Sequence, residues 1–238
     1  MKKVIIVGAT SGIGKGIAQL YAKKGYKVGI TGRRIALLLE LKQQYPENII
    51  VRSFDIDNSQ TVAGHLEALT AELGGLDLLV LSSGTGHRNA ELAVDIERST
   101  LKTNVEGFTA VVVWAFNFFR KQREGQIASI TSIAGLRGNK LAPAYSATKA
   151  YQMNYLQALR QIAHHHRLPI VVTDIRPGFV DTAMGKSEGV FWSASVPKAS
   201  RQIVKAIENR KKIVYITKRW RFVALLAQLI PRPLYERL

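Results

Sequence analysis

The chain of 238 residues contains no cysteine. This absence excludes disulfide bonds, thiolate nucleophiles and cysteine-ligated zinc or iron–sulfur centres. Acidic residues are scarce, because 17 Asp and Glu stand against 34 Lys and Arg and leave a formal net charge of +17. Long apolar runs are also lacking near the start, where the run 4–7 ends at Gly8 and is too short for the core of a secretion signal. We therefore expect a cytoplasmic protein.

The composition is otherwise typical of a soluble globular domain. Apolar residues make up 47% of the chain and charged residues 21%, which provides a sizeable core and excludes disorder. The positive charge is uneven, since residues 198–238 carry 11 basic and two acidic side chains. This concentration favours an acidic partner at that end, and net charge alone does not distinguish nucleic acid from an anionic membrane surface.

Short apolar segments alternate with longer segments of helical spacing along almost the whole chain. The strand-like segments are 4–7, 27–31, 49–54, 78–81, 126–131, 170–175 and 213–216. The helix-like segments include 13–24, 36–45, 59–73, 95–123, 144–165 and 197–209. This alternation predicts an α/β doubly wound Rossmann fold, with a seven-stranded parallel sheet and helices on both faces. We expect a single catalytic domain over residues 1–217 and a basic, apolar tail over 218–238.

The first predicted strand runs directly into a glycine-rich turn, after which a helical pattern begins. In a doubly wound sheet, such a turn lets the backbone approach a pyrophosphate and aims a helix N-terminus at the anion. The alternative is a purely structural loop, which the position between the first strand and the first helix disfavours. The candidate cofactor-binding residues in this turn are Gly8, Thr10, Ser11, Gly12, Ile13 and Gly14.

The second predicted strand ends at two arginines, Arg33 and Arg34, with no carboxylate beside them. An acidic side chain at this point accepts from a ribose 2′-hydroxyl, whereas arginine suits a 2′-phosphate. The pair therefore predicts NADP(H) as the cofactor. The alternative is that both arginines begin a solvated helix.

Three residues suited to proton transfer follow one another along the chain. Ser132 follows the fifth predicted strand, Tyr145 comes 13 residues later and Lys149 four residues after that. Positions i and i+4 share a helix face, so Tyr145 and Lys149 project together. A neighbouring ammonium lowers the pKa of a phenol, so we expect Tyr145 to exchange a proton with a substrate oxygen. Ser132 can hold that oxygen by a hydrogen bond. Ser132 makes this constellation specific, because ligands bind at the carboxyl edge of an α/β sheet.

The glycine spacing G-x-x-x-G-x-G and the set of Ser132, Tyr145 and Lys149 resemble the short-chain dehydrogenase/reductase family, over residues 4–216. The resemblance implies an NADPH-dependent oxidoreductase that transfers hydride between nicotinamide and a carbonyl or alcohol carbon. It implies that Lys149 also holds the nicotinamide ribose. It further implies a catalytic Asn104, which holds a water linking the lysine to solvent; a mid-helix Asn otherwise indicates a kink or a solvent-facing residue. No metal is implied.

The resemblance assigns further cofactor contacts. Asp55 and Ile56 match positions beside the adenine, although Asp55 could instead cap a helix that starts near Ser59. After the fourth strand the family usually has Asn-Asn-Ala-Gly, whereas this chain reads Ser82-Ser83-Gly84-Thr85-Gly86, so the asparagine amides are lost. Ser83 and Gly84 are the cofactor candidates in this segment. The turn after the sixth strand matches a Pro-Gly turn at the nicotinamide, through Pro177, Gly178, Val180 and Thr182.

One loop and two long helices bear on the substrate and on self-association. Family members contact substrate mainly through the loop that here spans 183–196, where Val190-Phe191-Trp192 favours an apolar carbonyl or alcohol substrate or is ordinary packing. The family commonly associates through the two long helices, here 95–123 and 144–165, so we expect a homodimer or homotetramer.

The tail combines the apolar run 222–230 with flanking basic residues. Nine helical residues reach about 14 Å, half of a bilayer's hydrocarbon thickness of about 30 Å, so the run cannot span a membrane. It is expected either to lie on an anionic membrane at its inner face or to cover the substrate cleft or a neighbouring subunit. The alternative function is a non-catalytic NADP-binding module attached to a membrane or nucleic acid, and nucleic acid is disfavoured because no recognition motif accompanies the charge.

Overall fold

The computed structural model describes residues 1–182 and 192–237. Across these residues, seven strands form one all-parallel sheet in the order β3-β2-β1-β4-β5-β6-β7. The strands are β1 Lys3–Val7, β2 Lys27–Gly32, β3 Ile49–Ser53, β4 Leu78–Leu81, β5 Gly125–Ile130, β6 Ile170–Pro177 and β7 Ile213–Ile216. The predicted doubly wound sheet is therefore confirmed.

Helices connect these strands and cover both faces of the sheet. They are α1 Gly12–Lys23, α2 Ile35–Gln44, α3 Val62–Leu73, α4 Val94–Leu101, α5 Phe108–Gln122, α6 Pro143–His165, α7 Val196–Glu208, α8 Trp220–Leu229 and α9 Arg232–Tyr235. Predicted and observed ends agree to within two residues, except that the predicted helix 59–73 opens with a 3₁₀ turn, Ser59–Thr61, and α3 itself begins three residues later at Val62. One predicted helix is composite, because a π-helical segment, Lys102–Gly107, joins α4 to α5.

The core lies in two layers, one on each face of the sheet. Along β1, Ile5 and Val7 belong to the layer beneath α3, α5 and α6, whereas Val4 and Ile6 belong to the layer beneath α1, α2 and α7. Successive side chains of a strand point to opposite faces, so a strand buried on both sides reads as a continuous apolar run. This is why the short apolar segments of the sequence are strands.

The carboxyl ends of the parallel strands meet at one edge of the sheet. Strand order reverses between β1 and β4, and a crevice at such a switch point is where doubly wound sheets bind ligands. The glycine turn follows β1, and Ser82 begins the segment after β4. Ser132 follows β5 and Gly178 follows β6, so four connections with candidate site residues share this edge.

A buried ion pair ties the last three strands together close to this edge. The Asp174 carboxylate on β6 is fully buried and lies 2.7 Å from the Arg176 guanidinium. Thr131 donates to the same carboxylate at 2.6 Å, and the Arg176 guanidinium donates to the Tyr215 hydroxyl of β7 at 3.1 Å. These contacts satisfy a charge that burial would otherwise make costly.

Replacing Asp174 with Asn should lower the free energy of unfolding by about 3–5 kcal/mol, because it leaves the Arg176 guanidinium buried without its counter-charge. The matched control is Glu208→Gln, which removes the partner of Lys24 in an ion pair whose side chains are 44% and 37% exposed. That control should cost less than about 1 kcal/mol. Chemical denaturation measures both; equal losses would contradict the role given to the Asp174 pair.

Candidate active site

The glycine turn after β1 has backbone conformations and close contacts that only glycine accommodates. Gly8 and Gly12 adopt positive φ angles of +91° and +56°, which favour glycine. A Cβ on Gly14 would clash with the Gly8 carbonyl oxygen, so the turn closes tightly onto α1. The first turn of α1 holds no acidic residue, and the Ser11 side chain does not cap it. The helix N-terminus therefore suits an anion such as a pyrophosphate.

Two distant segments pack directly against this turn. A Cβ on Gly8 would lie 2.6 Å from the Ser83 backbone nitrogen, and one on Gly12 would lie 3.1 Å from the Thr182 Cγ2 methyl. The small residue Ser83 thus borders the close approach of the glycine turn. The structure brings the cofactor candidates after β1, β4 and β6 together at one place.

The two arginines after β2 lie beside the same turn. The Arg34 guanidinium donates to the Thr10 hydroxyl at 2.6 Å and to the Ser11 hydroxyl at 3.0 Å. The Arg33 guanidinium is 70% exposed and lies 3.6 Å from the Asp55 carboxylate. Two cations and two hydroxyls therefore line the edge of the turn, a donor set that suits a phosphate group.

The segment after β3 is folded by its own side chains. The Asp55 carboxylate accepts from the Asp57 backbone N–H at 3.0 Å and does not cap the 3₁₀ turn Ser59–Thr61, which begins after Asn58. Ile56 is buried, and a Cβ on Gly107 would lie 2.7 Å from its carbonyl oxygen. Asp55 therefore lies at the rim beside Arg33, while Ile56 supports the π-helical segment.

Ser132 and Tyr145 meet at the carboxyl edge. Pro143 starts α6 and so puts Tyr145 in the first turn of the helix, while Ser132 caps the 3₁₀ turn Ile133–Leu136 by accepting from the Ala134 N–H at 3.1 Å. Burial raises the pKa of Tyr145, and the hydrogen bond with Ser132 opposes this effect. The pKa therefore moves opposite to the sequence expectation, because the effect of burial exceeds that of the Ser132 hydrogen bond. The phenol stays protonated at neutral pH, which is the form that donates a proton.

Lys149 is buried on the same face of α6, with 4% of its surface exposed. Its ammonium lies 5.7 Å from the centre of the Tyr145 ring. It donates to the Ile130 carbonyl at 3.2 Å and to the Gln152 side-chain oxygen at 2.9 Å. Burial lowers the pKa of Lys149 from 10.5 to about 8, although the negative charge of Asp174 partly opposes this shift.

Asn104 lies in the π-helical segment and is fully buried, so it is not a solvent-facing residue. Its side chain holds the backbone of Thr85 from both sides, accepting from the Thr85 N–H at 2.9 Å and donating to the Thr85 carbonyl at 2.7 Å. It also donates to the Thr148 hydroxyl at 3.1 Å. Asn104 thereby fixes the Gly84-Thr85-Gly86 loop, which lacks the family's asparagines.

Gln152 is a site residue that the sequence analysis missed. Its side-chain amide nitrogen donates to the Asn104 carbonyl at 2.8 Å, while its oxygen accepts from Lys149. The amide therefore links the Lys149 ammonium to the Asn104 backbone carbonyl. The available signal was the spacing of three from Lys149, which puts Gln152 on the same helix face.

The substrate side of the site is described in part. The loop 183–191, including Val190 and Phe191, lies outside the described residues. Trp192 is half-exposed, and its ring centre lies 6.3 Å from that of Trp220 in α8. Pro177 ends β6, the Gly178 N–H donates to the Ile216 carbonyl at 2.7 Å, and Val180 forms an isolated bridge with Ala194.

A family model described as short chain dehydrogenase matches residues 2–190. The chain belongs to the short-chain dehydrogenase family. An uncharacterized oxidoreductase of Mycobacterium tuberculosis is 30% identical over 218 residues, which cover 87% of this chain and 85% of the relative. Another from Myxococcus xanthus is 32% identical over 188 residues, covering 77% of this chain and 74% of the relative.

Solved structures agree with this assignment. Serine dehydrogenase from Escherichia coli is 31% identical, with a TM-score of 0.69 over 74% of this chain and 82% of that chain. ElxO with NADP bound has a TM-score of 0.78 over 90% of this chain and 96% of that chain; at 23% identity, it shows a shared fold. The short-chain dehydrogenase described here is therefore an oxidoreductase of a family that uses NAD(P).

The buried ammonium predicts a pH dependence. With a lowered pKa of about 8, Lys149 loses its proton as the pH rises, so kcat/KM for carbonyl reduction should fall above about pH 8. Gln152→Leu removes an acceptor from the charged form, lowers the pKa of Lys149 further and should move this fall to lower pH. Gln152→Glu adds a negative charge and should move it to higher pH.

Rates measured from about pH 6 to about pH 10 test this assignment. A merely structural role of Gln152 would reduce the rate in both variants without moving the fall. A wild-type profile that stays flat to the alkaline end would contradict the role given to the Lys149 ammonium.

Proposed function

We propose that this short-chain dehydrogenase is an NADPH-dependent carbonyl reductase, or in reverse an alcohol dehydrogenase. The observation that carries the proposal is the convergence of Ser132, Tyr145, Lys149 and Asn104 beside the glycine turn. Gly84 lies against two members of this set, because a Cβ there would lie 3.3 Å from the Asn104 side-chain oxygen and 3.4 Å from the Lys149 nitrogen. A non-catalytic NADP-binding module would not need this acid–base set.

The residues divide the work of proton transfer. The Tyr145 hydroxyl gives its proton to the carbonyl oxygen, and the Ser132 hydroxyl holds that oxygen by a hydrogen bond. The buried Lys149 ammonium stabilises negative charge that develops on the phenol oxygen. NADPH, when bound, supplies the hydride that reduces the carbonyl carbon, so a hydride and a proton together convert a carbonyl group into an alcohol.

The cofactor preference is supported by the edge of the glycine turn. Arg34 is already directed at the hydroxyls of Thr10 and Ser11, and Arg33 stands next to it. These four groups are the proposed ligands of the 2′-phosphate of NADP(H). The N–H groups at the start of α1 receive the pyrophosphate, and the glycines Gly8, Gly12 and Gly14 allow its close approach.

An apolar carbonyl or alcohol is the proposed substrate class. Aromatic rings border the turn after β6, where the Phe179 and Trp220 ring centres lie 5.5 Å apart and Trp192 packs edge-on against Trp220. Large, rigid rings of this kind suit an apolar substrate.

A cytoplasmic location remains part of the proposal, because a chain without cysteine tolerates a reducing compartment.

The proposal includes a homodimer or homotetramer formed through α4, α5 and α6. Trp114 on α5 and the two tyrosines Tyr151 and Tyr155 on α6 pack on the core and keep part of their surface exposed. The same helices expose Leu101, Val113 and Ile162. Apolar surface on long helices that flank the active site fits burial against a second copy.

Replacing Arg33 and Arg34 together with Ala should weaken NADPH binding at least tenfold and leave NADH binding nearly unchanged, because the variant loses charged hydrogen bonds to the 2′-phosphate. The matched control is Arg120→Ala with Lys121→Ala, two exposed cations at the end of α5. Calorimetric titration of both cofactors measures the effect. Equal affinity of the unmodified protein for NADPH and NADH would contradict the proposed preference.

Replacing Tyr145 with Phe should lower turnover by roughly 10²-fold or more while cofactor binding survives, because it removes the proton donor and keeps the ring. Tyr155→Phe on the same helix is the matched control and should keep the rate. NADPH oxidation with short, aromatic, steroid-like and long-chain carbonyls first identifies a substrate. A near-normal rate of Tyr145→Phe on that substrate would exclude the proposed acid.

A further inference from the structure

Helix α8 in the tail has two contrasting faces. Its inward side buries Trp220 and Ala224. Its outward side carries four large apolar side chains that are 54% to 69% exposed, at spacings of three and four that put them on one face. We call these residues the α8 stripe: Phe222, Leu225, Leu226 and Leu229. Leu234 in α9, 55% exposed, lies close in sequence.

The inward side is fixed to the protein at both ends. At the start of α8, the Trp220 ring packs so closely on Gly178 that a Cβ there would clash with it. At the end, the Arg137 guanidinium donates to the carbonyls of Ala227, Gln228 and Ile230, at 2.9, 2.9 and 2.7 Å. The Tyr235 hydroxyl donates to the Gly138 carbonyl at 2.8 Å. The stripe is thus held on the outside, because the opposite side is already packed.

Basic side chains frame the stripe. Five exposed cations precede or follow it, and Glu236 is the one acidic residue in 218–238. The cations are Lys218, Arg219, Arg221, Arg232 and Arg237. An exposed apolar patch with a polar rim marks an interaction surface. The sign of this rim selects a partner with negative charge.

We propose that the α8 stripe docks on an anionic membrane surface. Apolar side chains at the acyl boundary with cations at the headgroups are the arrangement of a helix lying in the interfacial plane. Among the described residues, no helix has the length and apolar character needed to cross a bilayer. A symmetric contact between two copies would bring two basic rims together, and like charges across an interface disfavour that occupant.

Docking would bring the edge of the active site to the membrane. Arg137 and Gly138 follow Ser132 on the same connection, and Gly178 belongs to the turn at the nicotinamide end. Because α8 is attached to both, a membrane beneath the stripe lies next to the substrate side of the site. This consequence rests on the proposed function: an apolar carbonyl would reach the site from the bilayer in which it dissolves.

Vesicle co-sedimentation of the full chain, without cofactor or substrate, tests docking separately from catalysis. The protein should sediment with vesicles of phosphatidylcholine and phosphatidylserine, and not with phosphatidylcholine alone. Leu226→Ser with Leu229→Ser should abolish this binding. The matched control, Leu39→Ser with Val94→Ser, changes two exposed apolar residues elsewhere and should leave it intact. Lys218→Gln, Arg221→Gln and Arg232→Gln should together weaken binding roughly a hundredfold, at about fivefold for each cation.

Three results would overturn the proposal. The first is a full-length protein that stays in the supernatant at low salt. The second is equal binding to both vesicle types, which would remove the role of charge, or equal binding by the parent and the Leu226→Ser, Leu229→Ser variant, which would remove the role of the stripe. The third is a halved molar mass of that variant in light scattering with no vesicle binding by the parent, which would assign the stripe to a second copy. Circular dichroism, measured on every variant, establishes that each one is folded.

Discussion

A buried ammonium ion needs hydrogen-bond acceptors for its protons, and the carboxyl edge of the sheet supplies them at Lys149. The Ile130 carbonyl supplies one acceptor because β5 ends there, and Gln152 supplies another from the next turn of α6. Gln152 is in turn held by the Asn104 carbonyl. Asp174 contributes a negative charge from inside the sheet, which keeps the pKa of Lys149 from falling further.

The connection after β4 joins the glycine turn to the buried lysine. Asn104 holds Thr85 by both backbone groups, and the neighbouring Gly84 passes close to Lys149. Upstream, Ser83 of the same segment lies against Gly8 of the glycine turn. A displacement of the connection after β4 would therefore disturb the glycine turn and the buried lysine together. Small residues are needed along this path because backbone and side chains approach within contact distance.

Helix α8 in the tail is attached to the connections after β5 and β6 by close contacts of the same kind. Gly178 lacks a side chain, so the Trp220 ring can pack on the turn after β6. Arg137 satisfies carbonyl groups at the end of α8 that no further helical turn could satisfy. The helix is consequently anchored by its inward side to two connections at the carboxyl edge of the sheet. Its outward side is left apolar within a basic rim, in a chain whose excess charge is concentrated towards that end.

The sequence by itself determined the fold and the family, and it indicated the residues of the candidate site. Apolar runs buried on both faces, a glycine turn between strand and helix, and the spacing of Tyr145 and Lys149 are local patterns, so they could be recognised without tertiary contacts. Only the tertiary structure decided how these groups behave. The bond from Gln152 to Asn104 joins residues 48 apart, and that from Arg137 to Ala227 joins residues 90 apart. The raised pKa of Tyr145 and the lowered pKa of Lys149 likewise come from burial. Local periodicity indicates which face of a helix is buried; the partner and the desolvation at that face depend on residues distant in the chain.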